Sequence, residues 1–442
     1  MYSKEVRNAE LLKNIQLSFL EAMGIFVFTI FIGILNAVNL VDFTRAELLF
    51  HLHSGTIGWL SLSAVTLLVW YFTGERDLTD ESLNMANSVL KFARIIIPIY
   101  VAIFYLGFTL AEGDEILRII SIGSGGNGYF ILLVTGALLA IAVFGFTFYF
   151  GLTELGKIEM KTTPHYLFLG AMLTSTYGGI FGLILEIQNL IGESFFDVDA
   201  GQDGVAAHAA AMEAGYLFMF ITAVLEWQII GDKMEKISMG GYVQTGTLFF
   251  AGLTVAIGAG FNLEPLLMLN LPLLIIGFIL IVIRVFTKIK TMSIIETSPD
   301  RFFIPAAIAL TFSIGFFIYF VSIIIGGRDP TELFESPWII GLFLSNIHTL
   351  FVGGATGVIL ASILVLVKDV DEENKKLENV GFGLMYIGLL GFVLTLLYRG
   401  DLQENGNGDE EVNTHIAAIM GIGLYLILYA LFTRLRKILN AN

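Results

Sequence analysis

Cysteine is absent from the 442 residues. That excludes disulfides, thiolate metal sites and a cysteine nucleophile, and it leaves the redox compartment unreadable from cysteine usage. Charge is scarce as well: Asp, Glu, Lys and Arg make up 14% of the chain, against roughly 25% in a soluble domain. An ordinary water-soluble core is excluded. Basic residues are the rarer sign, 24 against 39 acidic ones for a net charge of −15, so nucleic acid is not an expected partner, because its backbone needs a basic surface. Phosphate-binding fingerprints, zinc-protease motifs and serine nucleophile elbows are also missing.

What the chain has in abundance is apolar sequence, 56% of its residues with a mean hydropathy of +0.80. The apolar stretches are long enough to cross the roughly 30 Å hydrocarbon layer as helices, with no large hydrophilic domain between them. Spans are predicted near 14–37, 52–73, 90–111, 129–152, 163–187, 206–230, 241–261, 266–288, 302–325, 337–366, 379–398 and 413–433. The expected fold is therefore an all-α integral membrane protein of twelve transmembrane helices, one polytopic domain over 1–442. Membrane lipids are its first partners. The charged segment Met1 to Lys13 leads into a span longer than a signal-peptide core, with no small-residue cleavage pattern, and is expected to be retained.

Twelve spans put both termini on one side, and basic residues choose that side. With cytoplasmic ends, only Arg45, Arg118, Arg328 and Arg399 fall outside. The acidic excess gathers in loops such as Glu193 to Asp203 and Glu404 to Glu411, which read as solvated faces or as a docking face for a basic electron carrier or a cation funnel. Many of the 47 glycines lie within spans, where small residues permit close helix packing.

All six histidines, His51, His53, His165, His208, His348 and His415, fall at or within predicted spans. Five of them lie in the outer half of the membrane in this topology; His165 enters from the inside, as a structural or proton-path residue. An imidazole in a membrane helix can serve a carbonyl, water or a metal. His51 and His53 are about 200° apart around a helix, so only one can face a given ligand plane. The stretches His51-Leu52-His53 with Gly58-Trp59, His208 followed by Ala209, Ala210 and Ala211, and His348 followed by Gly353 and Gly354 each set small residues after an imidazole. They sit on spans two, six and ten, a recurrence every four spans that suggests three pseudo-repeats of four helices.

In that recurrence and those motifs the chain resembles the catalytic-subunit superfamily of haem-copper oxidases and the related nitric oxide reductases. The resemblance implies a low-spin haem b ligated by His53 and His348, a bis-imidazole iron suited to electron transfer. It also implies departures. Where the family carries His-x-His on helix ten, this chain has Asn346-Ile347-His348, so the high-spin ligand is missing. His208 matches a copper ligand, yet the 241–261 span has no His, and Met212 stands where the family has a cross-linked tyrosine. Three copper imidazoles cannot be assembled, and oxygen-reducing proton pumping is not implied.

His415 and the remaining member of the His51, His53 pair are open between a second haem, a metal ion shared with His208, and water-facing roles; imidazole serves iron, copper and zinc alike. Glu213 lies near His208, as helix-six glutamates accompany non-haem iron in nitric oxide reductases. Its five-residue offset does not match their usual four-residue spacing, so the similarity implies a polar metal or proton site without assigning its chemistry. The candidate metal set is thus His53, His348, His208, Glu213, His51 and His415. Glu21, Glu186 and Glu226 are further carboxylates within spans, and Trp59, Tyr166, Tyr216 and Trp227 are aromatic neighbours of these motifs. The expected function is a membrane haem redox protein of the bacterial inner membrane, with a cytochrome or another membrane subunit and a small gas, nitric oxide or oxygen, as partners. The rival readings are a proton-coupled secondary transporter and a non-redox membrane scaffold.

Overall fold

A computed structural model describes residues 6–38, 40–41, 43–74, 76–112, 126–191, 202–230, 236–289, 292, 299–326, 336–367, 374–404 and 415–441. The acidic stretches 193–203 and 404–411 fall largely outside them, as do Arg118 and Arg328. Among the described residues there are twelve helices long and apolar enough to cross a membrane, and no strand. They are α1 (Ala9–Ala37), α2 (Ala46–Thr73), α3 (Asp80–Gly107), α4 (Gly128–Lys157), α5 (Thr163–Ile191), α6 (Gly204–Ile229), α7 (Met239–Gly260), α8 (Glu264–Ile289), α9 (Asp300–Ile323), α10 (Pro337–Leu366), α11 (Lys375–Gln403) and α12 (Ile416–Asn440). The chain is a helical integral membrane protein. Each predicted span coincides with one of these helices, the seventh and tenth included.

Local chemistry sets the helix starts. The Asn8 side chain accepts from the Leu11 amide, Ser238 from Gly241 and Ser336 from Ile339, with Pro337 in the first turn; each satisfies an amide that has no partner within its helix. Thr44 and Glu47 form a capping box ahead of α2. Pro98, Pro272 and Pro305 lie inside helices, where packed neighbours make up for the lost backbone bond.

Burial sorts the helices into two groups. Of the most apolar stretch of each, 89% of α2, 72% of α6 and 83% of α10 is buried, against 22% for α8 and 56% for α7, the extremes of the other nine. Those three form the centre. The rest surround them in chain order, and α12 closes on α1, where the Tyr425 hydroxyl donates to the Val27 carbonyl at 2.9 Å. Phe28, Ile141, Ile387 and Leu390 on the surrounding helices point outward, the arrangement lipid requires. Backbones approach closely where glycine allows it: a Cβ on Gly388 would lie 2.4 Å from the Met420 nitrogen, and one on Gly252 2.4 Å from the Gly215 Cα.

Each central helix changes pitch just after its histidine. Ser54–Ser61, Ala211–Leu217 and Thr349–Thr356 are π-helical, and further π segments occur in α4 (Leu138–Gly145) and α8 (Val282–Phe286). Such widened turns cost regular hydrogen bonding and recur at functional sites.

Candidate functional site

Strand-like alternation has no role here; helix direction does. Even-numbered helices all run the same way, so α2, α6 and α10 are parallel and bring their amino-terminal halves, with His51, His53, His208 and His348, to one end of the bundle. The opposite half gathers carboxylates met by arginine, of which Glu154, Glu226 and Glu378 are buried and Glu21 is partly exposed. Glu154 takes Arg76 at 3.0 Å and Lys157 at 2.9 Å, Glu226 takes Arg284 through two bonds of 2.9 and 2.7 Å, and Glu21 takes Arg94 at 2.6 Å. Glu378 takes both Arg301 and Arg434. Glu21 and Glu226 are therefore ion-paired structural groups, and their counter-ions were not legible as such in the sequence.

The four imidazoles of the first end share one bond. Nδ1 of His51 meets the Thr29 carbonyl at 3.0 Å, that of His53 the Leu49 carbonyl at 2.9 Å, that of His208 the Gly178 carbonyl at 2.8 Å and that of His348 the Leu344 carbonyl at 2.8 Å. A carbonyl oxygen only accepts, so Nδ1 carries the proton in every case, and in the neutral ring the lone pair sits on Nε2. Rings fixed by a backbone carbonyl with the other nitrogen bare are how proteins build imidazole ligands. His165 is the reverse: its Nδ1 accepts from the Thr162 amide at 3.1 Å, and the ring packs on Tyr71 at 4.6 Å. It is a buried structural histidine, 1% exposed. His415 is exposed at the start of α12.

Two anchors reach across helices and two do not. His51 uses a carbonyl of α1 and His208 a carbonyl of α5, whereas His53 and His348 use the carbonyl four residues back on their own helices. Glycine makes the long reach possible. A Cβ on Gly33, one turn after Thr29, would lie 2.8 Å from Cε1 of His51, and one on Gly182, one turn after Gly178, would lie 3.2 Å from Nδ1 of His208. The glycines following the histidines serve something else: Gly55 faces Thr29, Gly58 faces Ile25, Gly353 faces Ala309 and Gly354 faces Ile221. They seat helix against helix.

Register decides which rings meet. The Trp59 indole donates to the Thr356 hydroxyl at 2.9 Å, and these residues lie eight positions after His51 and His348. The Tyr216 hydroxyl donates to Ser61 at 3.3 Å, eight positions after His208 and His53. Each bond ties its two central helices together eight positions beyond the histidines. His51 lies within electrostatic reach of His348, and His53 within that of His208. The resemblance implies His53 with His348 as one pair; the histidine whose electrostatics His348 enters is His51. Phe104 stacks on the His53 ring at 3.9 Å, and Phe392 meets His348 edge-on at 4.9 Å.

Between α6 and α10 the arrangement differs. The Asn346 amide donates to the Glu213 carboxylate, and the Asn346 carbonyl oxygen accepts from Ser313 of α9 at 2.5 Å. Asn346 was visible in the sequence only as a missing histidine, not as the partner of Glu213. Among the described residues, no three or more His, Asp or Glu side chains are gathered closely enough to hold a metal ion. Of the aromatic candidates, Trp59 stacks on Phe26 at 4.7 Å, Tyr166 meets Tyr242 at 5.4 Å and Trp227 meets Trp70 at 5.2 Å. Compared with the models of known protein families and with curated proteins, the chain matches none.

Proposed function

We propose that the chain is a membrane haem protein of the electron-transfer kind, related to the haem-copper oxidase and nitric oxide reductase catalytic subunits, in which His51 and His348 hold one haem b. The observation that carries this reading is that His51 and His348, on the two most buried helices and within electrostatic reach of one another, each have Nδ1 committed to a carbonyl. Two imidazoles with bare Nε2 atoms fit a six-coordinate iron. Haem so bound supplies a one-electron iron couple whose potential follows burial and the bonds behind its ligands. The protein's part is to fix the rings: the Thr29 carbonyl holds His51, the Leu344 carbonyl holds His348, and the bond from Trp59 to Thr356 ties α2 to α10.

The same reading includes three pseudo-repeats of four helices. Its support is that every fourth helix from α2 is central, carries a histidine near its amino-terminal half and turns π-helical after it. The basic-residue bias supports cytoplasmic termini in a bacterial inner membrane, with the histidines in the outer half, near a cytochrome or membrane-subunit partner. Nitric oxide or oxygen are the gases such a centre would meet. A non-haem site using His208, Glu213 and His415 is not favoured, because Glu213 already accepts from Asn346.

Reduced-minus-oxidised spectra of the purified full chain test the proposal. A low-spin haem b signal lost in both His51→Ala and His348→Ala is the expected result. No haem after expression with ample haem supply, or a signal unchanged in both variants, defeats it.

A further inference from the structure

The anchoring pattern described above has a second use. Call the residue two before another on the same helix its leading member: His51 leads His53 on α2. On α6 the leading member is His208 and the trailing one Ala210; on α10 the leading member is Asn346 and the trailing one His348. Leading histidines reach back one helix for their carbonyl, with a glycine one turn beyond it, and trailing histidines use their own helix. The pair His51 and His348 joins one of each kind. So does the pair His53 and His208, whose helices the Tyr216 to Ser61 bond ties together as the Trp59 to Thr356 bond ties those of the first. The third interface, α6 against α10, would need Ala210 and Asn346 to be histidines; instead Asn346 is bonded to Glu213.

We infer that His53 and His208 form a second bis-imidazole haem site between α2 and α6, built like the first and lying on the opposite side of α2. The two imidazole pairs then share one helix, whose diameter with side chains is about 10–12 Å, so an electron entering either centre has the other as its near neighbour. Phe104 stacked on His53 and Gly182 beneath His208 fix the ring planes of this pair as Gly33 and Phe392 do for the other. This proposal extends the haem reading above but depends on different residues, so each can fail alone.

Haem per chain, measured on the full-length protein in detergent by pyridine haemochrome against amino-acid analysis, is the test. Two haems per wild-type chain are expected, with about half lost in His53→Ala and in His208→Ala, and a separate half lost in His51→Ala and His348→Ala. Full haem in the His53 and His208 variants, with loss confined to the His51 and His348 variants, overturns the second site and leaves the first standing; loss confined to the His53 and His208 variants overturns the first and leaves the second. Copper that copurifies at one per chain and disappears with His53 or His208 also overturns the second haem. Because an alanine variant can fail to assemble, His208→Met serves beside it: methionine remains an axial ligand and raises the potential of one centre. A redox titration should show one of two steps displaced upward, and two undisplaced steps contradict the assignment.

Discussion

The carboxamide of Asn346 donates to the carboxylate of Glu213, tying α10 to α6 in the buried centre of the bundle. Asn346 is itself held by Ser313 of α9 at 2.5 Å, and Glu213 is 8% exposed. A carboxylate this deep needs its donor more than the donor needs it, since an unmatched buried polar group bears its full desolvation cost. Asn346→Leu should lower stability by about 1–3 kcal/mol, while Glu213→Gln, which keeps an acceptor for the amide, should cost less. Thermal unfolding in one detergent compares them. Combining Asn346→Leu with Glu213→Leu should recover part of the loss, because the stranded acceptor is then gone; strictly additive losses would show that the bond carries no coupling.

Glu226 is fully buried and accepts two bonds from Arg284, whose side chain is 24% exposed. Removing one member of such a pair strands the other, so Glu226→Ala should destabilise by about 3–5 kcal/mol, at the lower end if Arg284 turns to the interface water. The pair stands at the end of the bundle away from the imidazole layer. Visible spectra of whatever Glu226→Ala protein survives should match wild type, and a changed haem spectrum would place Glu226 in the site.

Gly33 and Gly182 each leave just enough room for an imidazole. Gly33→Ala would set a methyl carbon 2.8 Å from His51, and Gly182→Ala one 3.2 Å from His208. The first should broaden or shift the signal assigned to His51 and His348, the second that assigned to His53 and His208. Gly383→Ala, whose added carbon meets nothing within 4 Å, is the neutral comparison, and replacing a glycine by alanine in a helix should there raise stability slightly. Equal spectra for all three would mean that the rings do not depend on these glycines.

The absence of cysteine makes topology directly measurable. Lys236→Cys, in the segment before α7, should react with a membrane-impermeant maleimide only after the cytoplasmic side is opened, and Glu264→Cys, at the start of α8, should react from outside intact cells. Both positions are exposed. Labelling with the sides exchanged would invert the orientation drawn from basic residues.

Single-residue chemistry was readable wherever lipid imposes one rule on every position. A bilayer leaves the backbone no partner but its own helix, so hydropathy alone marked all twelve spans, and the thin scatter of Lys and Arg ordered their ends. The histidine triplets were readable too: His51-Leu52-His53, His208-Ala209-Ala210 and Asn346-Ile347-His348 align as leading and trailing positions without any coordinates. What could not be read was which ring faces which. That depends on the stagger of α2 against α6 and α10, set by side chains such as Trp59 on Thr356 and Tyr216 on Ser61 that lie far apart in the chain. The π-helical turns were hidden for a related reason, because the local sequence suits an ordinary helix and only neighbouring helices select the wider one.

Composition and period therefore determined that this chain is a twelve-helix bundle with five of its six imidazoles near one end and most of its arginines near the other, because hydrophobic transfer acts on each segment independently. Only the tertiary structure decided that α2, α6 and α10 are the core, that His51 and His208 are anchored by carbonyls of neighbouring helices, and that Glu213 is occupied by Asn346. Those relations are distances between helices, and a distance between helices comes from side-chain packing summed over the whole bundle, which no one segment contains.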